Sequence, residues 1–447
     1  MRTPAITFSL CLIISASTGA DDWPRWMGPT ADGVYYEDGV LAALPPSGLK
    51  VNWRVPVAGG YSGPAVVGNR VYVFDYLKSG GKSFNSPNER AQVNGSERLH
   101  CMEADTGKTV WTYEYVCPYS ISYPVGPRCT PTVDITGPTD PGRVYILGSE
   151  GDLVCLNAAS GELLWKRNFK NDFKAPVPIW GFSSHPLIDG DLVYCMVGGP
   201  GQTVVAFDKL SGEVRWKSLA AAAIGYCPPS IINAGGVRQL MVWHAEAIVG
   251  LDPATGKEYW NMPIKPEYEM SITRPQLEGN SVFASGIRNH SVMFELGTDK
   301  PTAMEQWRGE PKKSVNCANS TPVIHRGVIY GTDCNEGWMV AVDSKTGERL
   351  WTSFKPTQPK ETRRVNHGTA FITRLGDTDR YLLMGETGDL VLANMTRTGY
   401  EEIWRFHVLE PTSEAFGRDV VWSHPAYAGQ TAYVRNDKEL VAVRLAE

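Results

Sequence analysis

A glycine followed four positions later by tryptophan recurs five times in this chain. The copies are EADTGKTVW, NAASGELLW, DKLSGEVRW, DPATGKEYW and DSKTGERLW, ending at Trp111, Trp165, Trp216, Trp260 and Trp351. Each has Thr or Ser before the Gly, and Asp, Asn or Glu four residues ahead of it. With 45 Gly and 14 Trp in 447 residues, chance placement gives about 1.4 such pairs, so the repeat is real. Degenerate copies close at Trp53, Trp307 and Trp404, and successive Trp are then 58, 54, 51, 44, 47, 44 and 53 residues apart. Each interval reads strand, turn, strand, turn, strand, Thr-Gly turn, strand, most plainly in NSTPVIHRGVIYGTDCNEGWMVAVDSKTGERLW.

Four short strands in a unit of this length is the arithmetic of a propeller blade. A stacked solenoid has shorter coils and does not account for the chain ends. The last run, KELVAVRL, supplies a strand that should lie beside the N-terminal run LKVNWRV, making one blade from both ends and leaving no open edge. The expected fold is all-β: an eight-bladed β-propeller of four-stranded blades, its ring closed by pairing of N- and C-terminal strands. The repeat has a physical cause. Gly takes positive φ in the tight turn without steric cost, and the Asx or Glu side chain bonds backbone there. The flat indole is then free to dock on the neighbouring blade with its N–H on a backbone acceptor.

Residues 1–20, MRTPAITFSLCLIISASTGA, carry one positive charge, a short apolar run and a small-residue ending, the order of a secretory signal. Residues 21–49 are then a lead segment and 50–447 the propeller. Cleavage after Ala20 leaves 427 residues with net charge -6, no lipid-anchor context at Cys11 and no later stretch apolar enough to span a membrane. A periplasmic or secreted, monomeric protein is expected. The acidic balance, -5 overall, gives no basic field for nucleic acid. Eight cysteines remain after Cys11, none in CxxC or CxxCH, and Cys317 with Cys334 is the best disulfide candidate.

The acidic residue, Thr/Ser-Gly and Trp at this spacing, repeated around the ring, resemble the tryptophan-docking repeats of the quinoprotein-like propeller superfamily. The resemblance covers about residues 50–447, and the opening DDWPRWMGPTADGV is similar to the start of secreted PQQ-repeat propellers. That superfamily includes alcohol dehydrogenases that bind pyrroloquinoline quinone (PQQ) and calcium. It also includes the propeller subunit of the bacterial outer-membrane assembly machine, which binds proteins and no cofactor. This chain lacks the adjacent cysteine pair of the dehydrogenases and is shorter than they are. The resemblance therefore implies a non-catalytic binding or scaffold module, for an envelope protein or a carbohydrate-like ligand at the propeller mouth. The alternative is a reduced PQQ-dependent oxidoreductase acting on an alcohol or sugar.

The segments leading into the first strand of each blade align on a Pro: YSGP, RCTP, SSHP, YCPP, ITRP, NSTP, HGTA with Ala in its place, and WSHP. Two positions before it every residue is small. One and three positions before it share the channel-facing side by strand alternation. These positions place Arg128, His185, Tyr226, Arg274, Asn319, His367, Trp422 and His424 at the mouth. Loops between second and third strands add Trp243, His244, Glu246, Arg288 and Asp333, with Glu386 and Arg418 nearby. Under the quinone alternative, Arg128 and Arg274 would pair with quinone carboxylates and Trp243 or Trp422 would stack on the ring. Asp333 or Glu246 would then be metal ligand or base. No metal site follows from the sequence alone. The segment from Tyr76 to His100, far longer than its counterparts, reads as a lid or partner-binding arm.

Overall fold

The computed structural model describes residues 22–135, 142–360 and 364–447. The expected signal segment and Cys11 lie outside them. Eight antiparallel sheets form the blades of one ring. In blade 1 the strands run Ala65–Val67, Arg70–Gly81, Ala91–Glu103 and Thr109–Val116 from channel to rim. Blade 8 is the composite: Ala426–Ala428, Thr431–Arg435 and Glu439–Arg444 come from the C-terminus, and Val51–Pro56 pairs antiparallel with the last of these. Joining the chain ends in one sheet removes the seam at which an open ring would unzip.

Second and third strands are almost wholly buried, as Leu192–Met196 and Val204–Asp208 show, because each is covered by a neighbouring blade on both faces. The outer strand has one face on solvent and alternates. Every blade carries a register shift beside its repeat Trp, for example between Cys155 and Leu156 opposite Trp165. This bulge turns the indole off its own sheet. Seven of the repeat Trp then donate their indole N–H to a main-chain carbonyl: Trp53 to Ala104 O (2.8 Å), Trp111 to Ala158 O (3.2 Å), Trp165 to Lys209 O (3.0 Å), Trp216 to Pro253 O (3.0 Å), Trp307 to Ser344 O (2.8 Å), Trp351 to Thr396 O (2.8 Å) and Trp404 to Leu41 O (2.9 Å).

The same contact explains the glycine of the five full repeat turns. At Gly212, with φ +68°, an added Cβ would lie 2.6 Å from the Trp165 ring, and at Gly161 the same distance from Trp111. The turn must be both left-handed and bare for the preceding blade's indole to lie on it. Blade 5, whose turn ELGTDKP lacks the motif, is the exception, and Trp260 instead donates to Gln239 Oε1 within its own blade (2.6 Å). Gly212→Ala is therefore expected to cost about 2–3 kcal/mol in urea unfolding. Gly190→Ala, at a left-handed turn with open space around it, should cost about 1 kcal/mol.

The small residues two before each Pro also have a reason. Ser62, Ser184, Thr273 and Ser423 donate their hydroxyls to the carbonyls of Phe74, Cys227, Ser285 and Gly60 at 2.6–3.1 Å, closing the crowded inner rim.

Two expectations change, and the lead segment acquires contacts that the sequence had not specified. The long segment of blade 1 is mostly strand, because Arg70–Gly81 and Ala91–Glu103 extend one hairpin past the ring and leave only 82–90 as its tip. All eight described cysteines are buried free thiols, so Cys317 and Cys334 do not pair; each sits in apolar packing at a different level of the loop and strand. The lead segment is an integral part of the ring. Val34–Tyr35 adds a parallel strand to Ala370–Leu375 of blade 7, and Trp23 bridges Val66 of blade 1.

Candidate functional site

The lead segment reaches the channel from the side opposite the Pro-containing loops. Asp22 accepts from the N–H of Gly68 in the first turn of blade 1 (2.7 Å), and Pro24 O accepts from Val133 N–H in blade 2 (2.8 Å). Trp26 then stands on the axis, its ring 4.9 Å from His185 of blade 3 and 5.4 Å from His424 of blade 8. Only 7% of Trp26 is exposed. A ring of residues one before each Pro, Thr130, His185, Arg274, Thr321 and His424 among them, surrounds this plug. His185 and His424 were expected at an open mouth; they lie beneath it, against an indole. His185 Nδ1 accepts from Thr130 N–H (2.9 Å), and His424 also packs 4.0 Å from Phe371. Burial lowers both imidazoles to about 3, so each is neutral at ordinary pH.

Residues three before each Pro form the next layer outward. Arg128 spends its guanidinium on main chain, donating to Gly126 O, Ser122 O and Tyr123 O (2.5–2.9 Å), while lying 5.2 Å above the Tyr61 ring. It is a brace for the loop 122–128, with both terminal nitrogens committed to main chain. Tyr226 is buried against Trp180. Trp243 is fully buried in the core between blades 4 and 5, and cannot stack on a ligand.

The acidic candidates are also committed. Asp333 is fully buried, ion-paired to Arg349 at 2.8 Å and accepting from the Asn316 and Asn335 N–H groups. Glu386 is fully buried and takes Arg418 in a two-toothed pair (2.9 and 3.0 Å), Gln358, Thr369 N–H and the Trp422 indole (3.2 Å). Among the described residues no group of three or more His, Cys, Asp or Glu is arranged to hold a metal ion. Of the residues named for quinone and calcium, Arg128 is used on main chain, Asp333 is neutralised by Arg349 and Trp243 is buried in the core, so these three do not fit them, and Trp26 stands in the axis.

What faces solvent is a patch on the loops of blades 5 to 8. Phe416, 44% exposed, tops the hairpin of Ser413–Ala415 and Arg418–Val420 and stacks on His367 at 4.7 Å and 4°. Trp422 is 6.3 Å away. Tyr268 is 55% exposed beneath the guanidinium of Arg288, itself paired with Glu267 (2.6 Å). Burial, aided by the charges of Arg418 and Arg288, lowers His367 to about 4. Tyr268, Arg288, His367 and Phe416 all hold positive φ (+51° to +56° within this set), a geometry that costs bulky residues energy and concentrates at binding sites. Sequence reading picked Arg288, His367 and Trp422 here but missed Tyr268 and Phe416. Their only signal was the length of the segments joining outer to inner strands.

In blade 4, next to this patch, His244 and Glu246 line an open groove of about 320 Å³ with Asn261 and Pro263. The His244 imidazole folds back on this turn, its Nδ1 accepting from the Glu246 main-chain N–H at 3.2 Å. Asn319 stays at the channel wall near His424.

A family model described as outer membrane protein assembly factor BamB matches residues 95–353 and 335–446, most of the chain. The chain belongs to this family. Solved structures agree on the BamB-type fold. BamB from Moraxella catarrhalis superposes with TM-score 0.55 at 13% identity, covering 89% of this chain and 99% of that one. Quinohemoprotein alcohol dehydrogenase from Comamonas testosteroni gives 0.60 at 13%, covering 95% and 80%. In sequence, a quinoprotein ethanol dehydrogenase of Pseudomonas aeruginosa is 29% identical over 137 residues, 27% of this chain and 21% of that protein. The chain thus spans about a fifth of that relative's length, and this BamB-family propeller shares its ring with both assembly proteins and dehydrogenases. No helix among the described residues is long and apolar enough to cross a membrane.

Proposed function

We propose that this BamB-family propeller is a non-catalytic binding module of the cell envelope, periplasmic or secreted, that captures a protein partner through the loops of blades 5 to 8. One observation carries the reading: the chain's strongest charged groups are locked in internal networks, while Phe416, Tyr268 and Arg288 are held out to solvent in strained backbone. Exposed aromatics beside arginine are the composition of interaction hot spots. Glu386 is the keystone, because it fixes Arg418 and Trp422 on either side of Phe416.

The blade 1 hairpin borders the same mouth. Asn85 donates to Glu414 O (2.7 Å) in the Phe416 hairpin, Ser122 to Ser86 O, and Arg90 to Ser120 O and Val177 O (2.7 and 2.8 Å). It ties blade 8 to blades 2 and 3 across the opening and narrows access to the channel.

The test is capture of envelope proteins by immobilised protein with photo-crosslinkers at 268 and 416, against a Phe416→Ser, Tyr268→Ser variant. A partner retained by the native chain and reduced about tenfold or more in the variant supports the reading. Oligosaccharides run in parallel distinguish a carbohydrate-like ligand. The similarity to the quinoprotein ethanol dehydrogenase keeps one rival in play, a PQQ-dependent oxidoreductase. Titration with PQQ and calcium followed by dye reduction with alcohols and sugars decides it, and turnover would displace the binding module.

A further inference from the structure

The groove of blade 4 is lined by charge that the chain itself does not answer. It runs between segment 219–221, the turn 244–247 and the outer-strand residues Glu258, Asn261 and Pro263, and its 320 Å³ suits a small ligand or one long side chain. The sequence explains why it stays open. Blade 3 connects to blade 4 through SLAAAAIG, and four successive alanines carry no side chain long enough to fill the cleft. Main chain fixes its walls: Ala245 N–H donates to Ala223 O (3.2 Å) and Ile264 N–H to Glu246 O (3.0 Å).

One wall is apolar, made by Leu219, Ala220, Ala221 and Pro263. The other carries two exposed carboxylates. Glu246 accepts one long bond from Ala222 N–H (3.3 Å), and neither it nor Glu258 is ion-paired among the described residues. Asp333 and Glu386, by contrast, each hold an arginine. The cations beside the groove are committed elsewhere. Lys217 donates to Gln202 Oε1 (3.0 Å) and covers the Phe173 ring, while Arg308, which reaches Pro263 O (2.7 Å), is paired with Glu305.

His244 is the deciding group. It is 6% exposed and lines the groove. Because Nδ1 accepts from Glu246 N–H, the neutral ring carries its proton on Nε2, and this N–H has no partner among the described residues. Buried donors are almost always paired, so its acceptor comes from the groove. An occupant must therefore bring a positive charge for the carboxylates, hydrocarbon for the apolar wall and an acceptor for His244. A lysine or arginine residue within a peptide has all three, in its charged head, its methylene stem and its main-chain carbonyl. A neutral sugar brings no charge, and no aromatic side chain lines the groove for its ring to stack on.

We propose that the groove seats one lysine or arginine of an extended segment of the protein partner. The stem lies on Leu219 and Pro263, the charged head meets Glu246 and Glu258, and the main-chain carbonyl accepts from His244 Nε2–H. The inference rests on the reading of the chain as a protein-binding module and gives that partner a basic segment. Groove and loop patch are continuous, because the strand ending at Pro263 leads directly into the turn Glu267–Glu269 that carries Tyr268.

The test uses the whole chain and a defined probe, a short blocked peptide with a central lysine, followed by the imidazole nitrogen NMR signals. The lysine peptide and its arginine counterpart should shift His244 Nε2 saturably. The norleucine peptide, with the same stem and no charge, should not do so at equal concentration. Glu246→Gln with Glu258→Gln, which keeps an oxygen for Ala222 N–H, should weaken lysine-peptide binding at least about tenfold. No saturable shift with the lysine peptide, equal binding of the norleucine peptide, or unchanged affinity in the double variant would overturn the proposal. So would glucosamine oligosaccharides shifting His244 where the lysine peptide does not. Phe416→Ser, Tyr268→Ser should bind the peptide as the native chain does, so failure of the loop patch registers in partner capture and failure of the groove in the peptide titration.

Discussion

Between pH 6.5 and pH 4 the protein should lose several kcal/mol of stability, and His185 and His424 should account for most of the difference between native and variant chains. Both imidazoles are lowered to about 3 by burial against Trp26 and Phe371. A histidine whose folded pKa is depressed leaves stability intact above its unfolded value, near ~6.5, because both states are then neutral. As pH falls below that value the unfolded chain takes up protons and the folded one does not, so stability is lost until the folded pKa is reached. The slope is about 1 kcal/mol per pH unit for each group. Urea midpoints at pH 7, 5.5 and 4.5 measure it. The double variant His185→Gln, His424→Leu should show a distinctly flatter profile over that window, and an unchanged profile would mean that the two rings protonate freely in the folded protein. Asp75, held below its ordinary range by Arg98 and His100, loses its ion pairs only at more acid pH.

Trp26→Ala should destabilise the chain by about 3–5 kcal/mol, the range for removing a buried aromatic side chain. The loss has two sources. The indole's apolar area is gone, and the cavity left on the axis cannot collapse, because the eight inner strands around it are fixed by blade-to-blade packing. Trp26→Phe, which keeps a ring between His185 and His424, should recover most of the stability. Denaturant unfolding with amide hydrogen exchange on the lead segment checks both. If the plug is the brace inferred from its contacts, residues 22–35 lose protection in Trp26→Ala while the Trp165 contact with blade 3 keeps it. Equal loss in both would make the ring one cooperative unit with no separate plug.

The sequence by itself determined the ring. A Gly-x-x-x-Trp spacing is a local instruction: the glycine makes the turn, the tryptophan covers the next one, and the count of copies gives the number of blades. Ring closure was legible too, since an unmatched strand at each end has one place to go. Strand alternation, a rule of the backbone, grouped His185 and His424 on one side, and only the tertiary structure set them against Trp26. What the sequence left out were contacts between residues distant along the chain. Arg128 and Trp243 read as ligand contacts because polar and aromatic residues at loop ends can face either solvent or a neighbour, and only packing decides which. Asp333 read as a metal ligand or base under the quinone alternative until Arg349 was found on it. Tyr268 and Phe416 went unnoticed because their exposure comes from positive φ, which a lone sequence does not display. The plug was hidden most deeply. WPRWMGP carries no repeat signal, and the place of Trp26 on the axis exists only once eight blades from the whole chain have closed around it. Periodic, short-range physics wrote the fold into the sequence; the site depends on which distant groups meet and on what fills the channel, and those are properties of the assembled ring.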